Sequence, residues 1–115
     1  MTSLTREFVI TREFDKNWKD MGLTDDDLKI LQQELILNPQ KGDVIQGTGG
    51  LRKLRIAFEN RGKSGSGRVC YVDFTVYEKI YLITAYPKNV KENLSKSERN
   101  AISEMIKQLE RALKG

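Results

Sequence analysis

The residues with chemical potential are cations set at strand spacing. Lys53 and Arg55 alternate within Leu51-Arg52-Lys53-Leu54-Arg55-Ile56-Ala57-Phe58, and Arg68 follows a Gly/Ser-rich connection. Tyr86 and Lys88 stand at the end of a later apolar run that starts at Lys79. A period of two sends Lys53 and Arg55 to one side of a strand, and Leu54, Ile56 and Phe58 to the other with Arg52. If these segments pair as neighbours, Lys53, Arg55, Arg68, Tyr86 and Lys88 converge on one surface. Such a surface suits RNA, its cations facing phosphates and its tyrosine offering a ring on which a base can stack. The competing reading is a positively charged sheet edge that discourages aggregation.

Other chemistries fit less well. The chain has no histidine, which removes imidazole acid–base catalysis and the commonest zinc ligand together. With one cysteine besides, no metal site and no cofactor are expected. Gly62-Lys63-Ser64 mimics the end of a phosphate-binding loop, but Ala57 occupies the place of the earlier glycine and the segment joins two strands. Gly47-Thr48-Gly49-Gly50 also leads into a strand and reads as a flexible turn, with no helix N-terminus to hold a phosphate. No serine sits in a nucleophile-elbow setting. Cys70 shares a strand face with Val72 and Phe74 and reads as a small buried hydrophobe, while Trp18 and Met105 read as core.

The elements that must position the cations follow from periodicity and capping. Phe8-Val9-Ile10 suits a short strand. Asp15 is expected to cap a helix running through Trp18 to Met21, which Gly22 ends. Thr24 caps a second helix with Asp25, Asp26 and Asp27 in its first turn; Leu28, Leu31 and Leu35 face the core, and Asn38-Pro39 stops it. Strands follow from Leu51, from Arg68 to Thr75, and from Lys79 to Tyr86, with a flexible loop over 59–67. Short connections favour an antiparallel meander. Ser95-Lys96-Ser97-Glu98 is a capping box opening a last helix with an apolar stripe of Ile102, Met105, Ile106, Leu109 and Leu113. The expected fold is α+β: an antiparallel sheet, a three-strand meander plus an N-terminal strand, with two N-terminal helices and one C-terminal helix.

The whole chain supports one domain over residues 1–115, long enough to bury a core without staples. Net charge is +4, unevenly spread. Residues 40–68 hold seven basic residues against Asp43 and Glu59, whereas residues 1–39 carry an acidic excess. A basic middle suggests a polyanion-binding face; a solvated hairpin explains it about as well. No apolar run approaches the ~20 residues of a membrane span, and Arg6 and Glu7 interrupt the N-terminal stretch where a signal peptide needs apolar residues. The lone Cys70 fits a reducing compartment, so a cytoplasmic location and no membrane partner are expected.

Gly42-Asp43-Val44-Ile45-Gln46-Gly47-Thr48-Gly49-Gly50-Leu51-Arg52-Lys53-Leu54-Arg55 resembles the approach to the first sheet hairpin of HigB-like members of the RelE toxin superfamily. Tyr81 to Asn89 resembles their last strand and its exit, and the Leu94-Ser95 helix start with Glu98-Arg99 matches as well. The resemblance implies the toxin of a type II toxin–antitoxin system. Such toxins enter the ribosomal A site and cut messenger RNA by attack of a 2′-hydroxyl on the adjacent phosphate, without a metal. It implies catalytic roles for Lys53, Arg55, Arg68 and Lys88, with Tyr86 as a further candidate, and substrate contacts from Arg52, Arg61, Lys63 and Lys91. A tyrosine that some members use as base aligns here with Leu94 or Ser95, and Asn89 stands where another arginine is expected. A lysine, Lys53 or Lys88, deprotonated under the influence of neighbouring cations, is the expected base, with Tyr86 as its rival. The implied partners are the ribosome, its mRNA and a cognate antitoxin, a helix-turn-helix protein of HigA type. Two alternatives share the fold: a ParE-like inhibitor of DNA gyrase and a non-catalytic RNA-binding module.

Overall fold

In the computed structural model, which describes residues 5–57 and 66–115, the chain runs β1 (Glu7–Ile10), α1 (Arg12–Asp20), α2 (Asp25–Leu37), β2 (Asp43–Val44), β3 (Leu51–Ala57) and β4 (Ser66–Phe74). A 3₁₀ turn (Thr75–Tyr77), β5 (Lys79–Pro87) and α3 (Lys96–Lys114) complete it. The strands form one sheet in the order β1-β5-β4-β3-β2. The β3–β4–β5 meander is antiparallel as the short connections require, and β2 extends it with a two-residue antiparallel edge. At the other edge β1 runs parallel to β5, so the sheet is mixed and not antiparallel throughout. A tight turn forces antiparallel pairing; β1 and β5 are joined by no turn, and the intervening helices leave the direction free.

Local chemistry explains the element ends. The Thr11 hydroxyl, not Asp15, caps α1: it accepts from the Phe14 amide and lies 3.0 and 2.9 Å from the Leu82 and Ile83 carbonyls, tying the helix start to β5. Asp15 sits within the first turn and pairs with Lys19 at 3.0 Å. Gly22, at φ +79°, takes the left-handed turn after α1. Thr24 with Asp27, and Ser95 with Glu98, form full capping boxes on α2 and α3. The Gly47–Gly50 segment is a built turn. Thr48 is fully buried, its hydroxyl donating to the Ile45 carbonyl at 2.5 Å and accepting from the Leu51 amide at 3.1 Å.

Each face of the sheet carries a packed cluster, while β3 itself is half-buried as its alternation requires. Phe14, Trp18, Leu31 and Leu35 of the first two helices pack on Leu54, Val69, Tyr71, Ile80, Leu82 and Ala85. On the opposite face, Leu94, Ile102 and Ile106 pack on Leu51, Cys70, Val72, Phe74, Ile83 and Tyr86. Met105 is 39% exposed at the edge of the α3 stripe and is not core. The register shifts between Cys70 and Tyr71, which pair with Thr84 and Leu82 and leave Ile83 as an extra residue on β5. Tyr81 and Tyr86, an odd number of residues apart, therefore both join the α3-side cluster. The bulge has re-aimed Tyr86 onto that face.

Two buried polar links fix the sheet to its surroundings. The Tyr71 hydroxyl accepts from the Gly42 amide and donates to the Pro39 carbonyl, each at 2.9 Å, pinning the α2–β2 connection. Arg6 pairs with Asp73 at 2.8 Å, with side chains only 9% and 2% exposed.

Candidate nucleic-acid interface

Cross-strand register builds the site. Arg55 of β3 lies directly opposite Arg68 of β4, which lies opposite Tyr86 of β5. The next row is Lys53, Cys70 and Thr84. Residues directly opposite one another share a face with Cβ atoms ~5 Å apart. Lys53, Arg55 and Arg68 thus stand side by side on the α3 face, at the end that the α3-side core leaves uncovered. Arg55 is exposed; Lys53 and Arg68 are half-buried. Lys88 follows β5 at the same end of the sheet, where its amide donates to the Ser66 carbonyl at the start of β4, 2.8 Å away. Among the described residues no carboxylate pairs with Arg55, Arg68 or Lys88. Like charges placed opposite each other destabilise a sheet, so this row stands against folding stability and suits a polyanion that would neutralise it.

Two of these cations are oriented by the protein. Lys53 Nζ donates to Asn93 Oδ1 at 2.8 Å, reaching the connection between β5 and α3. Arg68 Nη1 donates to the Gly67 carbonyl at 3.2 Å, with Ser66 Oγ at 3.5 Å. Lys91 is engaged elsewhere. Its ammonium lies 5.1 Å from the Tyr86 ring centroid and pairs with Glu98. The Lys91 hydrogen bond, with the Ser95 amide, holds the Glu98 carboxyl below its ordinary range.

Tyr86 does not present its ring to a base in this arrangement. It is 4% exposed and lies beneath Lys91. Its hydroxyl is buried without a full hydrogen-bond partner, beside the Cys70 thiol, which is a weak one. Burial, reinforced by that thiol, raises the phenol well above its ordinary value, so it remains protonated and is a poor base. Burial likewise pushes the Cys70 thiol up to about 11, against the opposing pull of the Tyr86 contact, Lys53 and Lys91.

Other expected site residues fall apart from this group. Arg52 faces away, as its position in the strand alternation requires, and its guanidinium donates to the Gln40 and Gly42 carbonyls at 3.2 and 2.7 Å. It braces the α2–β2 connection and does not share the cationic face. Arg61 and Lys63 lie outside the described residues, as does the loop of Gly62-Lys63-Ser64. Ser66 and Gly67, expected in that loop, are instead the first residues of β4. Sequence reasoning missed Asn93. It belongs to no motif, and only the return of the chain after β5 brings it to Lys53, 40 positions away. No group of three or more His, Cys, Asp or Glu side chains able to hold a metal occurs among the described residues, nor is any of their helices long and apolar enough to cross a membrane.

The cationic row thus lies on a mixed five-strand sheet that has α1 and α2 on one face and α3 on the other. The profile of the RelE family, "RelE toxin of RelE / RelB toxin-antitoxin system", matches residues 6–114, and the chain belongs to that family. Among solved structures, a free-state mutant of the E. coli toxin RelE superposes with a TM-score of 0.57 at 17% identity, covering 76% of this chain and 88% of that one. At that identity the match establishes the shared fold and leaves the site to be argued from its own residues.

Proposed function

We propose that this toxin is a ribosome-dependent endoribonuclease that cuts messenger RNA in the A site and so arrests translation. The observation that carries the reading is the row of Lys53, Arg55 and Arg68 on one face of the adjacent strands β3 and β4, with Lys88 following β5 where its amide bonds the start of β4. Phosphodiester cleavage by an internal 2′-hydroxyl needs little else: a proton acceptor, a proton donor and fixed positive charge around the phosphate. Arg55 and Arg68 stand where they can clamp the non-bridging oxygens as negative charge builds. Lys53, oriented by Asn93, and Lys88 are the proton-transfer groups, one taking the 2′-hydroxyl proton and the other supplying the leaving 5′-oxygen. The products are a 2′,3′-cyclic phosphate and a 5′-hydroxyl end. No metal is required by this scheme.

The ribosome supplies what the cationic face lacks, an aligned RNA backbone, so the free protein is expected to cleave RNA poorly. The partner that silences it is an antitoxin of helix-turn-helix type, covering the cationic face or blocking ribosome entry, and both act in the cytoplasm.

Alanine variants of Arg55 and Arg68 test the reading. Each should lose about 10²–10³ in cleavage rate, the scale expected for removing one oxyanion-stabilising donor, and lose growth arrest with it. Retention of full toxicity by both would overturn the assignment. If toxicity persisted alongside inhibition of DNA supercoiling by gyrase, the gyrase reading would take its place.

A further inference from the structure

We propose that Asn93 is a positioning residue for Lys53, fixing the ammonium over the cationic row so that it meets the substrate at one place. This rests on the ribonuclease reading and adds to it a residue outside the cation set. A lysine head on a four-carbon stem is free to sample many positions, and proton transfer requires one. Among the described residues the head is held by one side chain, with Asn93 Oδ1 at 2.8 Å from Nζ.

Although Asn93 is itself exposed, its backbone is anchored on the following residues. Leu94 is 4% exposed in the α3-side core, its carbonyl accepts from Arg99 Nη1 at 2.8 Å, and Ser95 caps α3 through its capping box with Glu98. The amide oxygen is therefore presented from a connection that is anchored at its entry into α3. The choice of side chain also matters. A carboxylate there would neutralise the cation, whereas an amide orients the ammonium and leaves its charge and its proton available. Cys70 lies opposite Lys53, with Arg55 two residues along the strand and the Lys91–Glu98 pair acting on the same thiol, and among the described residues no carboxylate is paired with Lys53.

The test is single-turnover cleavage of an A-site codon on programmed ribosomes, with Asn93→Ala and the bulk-preserving Asn93→Leu measured alone and combined with Lys53→Met. Asn93→Ala and Asn93→Leu should each lower the maximal rate about tenfold, with the half-saturating protein concentration unchanged and the thermal melt intact. In the Lys53→Met background, whose residual rate rests on Arg55 and Arg68, removing Asn93 should have no further effect. A wild-type maximal rate in both Asn93 variants, or an equal loss in both backgrounds, would overturn the inference while leaving the ribonuclease reading intact. Full activity of Lys53→Met would remove Lys53 from the mechanism and the inference with it. No cleavage by the unmodified protein would defeat the reading on which both stand.

Discussion

Tyr86 shows how far one residue's environment can depart from its place in the sequence. It ends an apolar run beside Lys88, which makes it an attractive stacking platform or base. The bulge on β5 turns it onto the cationic face, yet the α3-side core and Lys91 then cover it, and burial holds its phenol protonated. Tyr86→Phe is expected to keep ribosome-dependent cleavage. It should also gain about 1 kcal/mol in denaturant unfolding, because an under-satisfied buried hydroxyl is removed. The alkaline limb of stability should flatten as well. The phenol and the Cys70 thiol both ionise at higher pH in the native chain than in the unfolded one. Their stabilisation is full below the ordinary values of 10.0 and 9.0, and is lost as pH rises through the raised native values, about 11 for the thiol. Tyr86→Phe removes the phenol's share, leaving a shallower decline above pH 9. Loss of cleavage in a folded Tyr86→Phe variant would restore the tyrosine as base.

At the scale of elements, the site depends on two connections. The α2–β2 link is pinned by the Tyr71 hydroxyl, which serves the Gly42 amide and the Pro39 carbonyl at once. Tyr71→Phe should cost about 1–3 kcal/mol, since it leaves a buried amide unsatisfied. Gly42→Ala should also lower the melting temperature, because an added Cβ would lie 3.0 Å from both the Lys53 carbonyl and the Tyr71 ring. The β5–α3 link is held by Glu98, which closes the capping box and pairs with Lys91. The Glu98 carboxyl is depressed first by Lys91 and then by the Ser95 amide, so its contribution is present above the ordinary value of 4.5 and lost as pH falls through the lowered native value. Glu98→Gln keeps a capping oxygen but no charge, and the fall in melting temperature below pH 4.5 should become shallower. An unchanged acid limb would show that the Lys91 pair adds nothing to folding.

For the whole molecule, the sequence makes the α+β class, the meander, both capping boxes and the alternation of Lys53 and Arg55 readable, because each is written in local spacing. Thr24 with Asp27 and Ser95 with Glu98 needed only three residues to be recognised. What it hides is set at long range. The parallel docking of β1 on β5 and the extra residue at Ile83 leave no periodic trace, and the apolar stripe of α3 does not say which sheet face it covers. The same division runs through the site. Arg55 and Arg68 were visible as strand cations, and their pairing opposite one another follows from a hairpin. Arg52 has the charge of a substrate contact, but the strand alternation sends it to the other side, where it binds backbone carbonyls. Lys91 offers a charge to a substrate in the sequence, but in the fold Glu98 and Tyr86 engage it. Asn93 carries no charge and no motif, and only the folded chain brings it to Lys53.

The central claim is that this cationic face cuts messenger RNA presented by the ribosome. Primer extension on a reporter message in a purified translation system, with and without the protein, tests it most directly. The account predicts new 5′ ends confined to translated message and falling within A-site codons, absent with Arg55→Ala and Arg68→Ala. Uncut message in the presence of folded protein that is toxic in cells would contradict it.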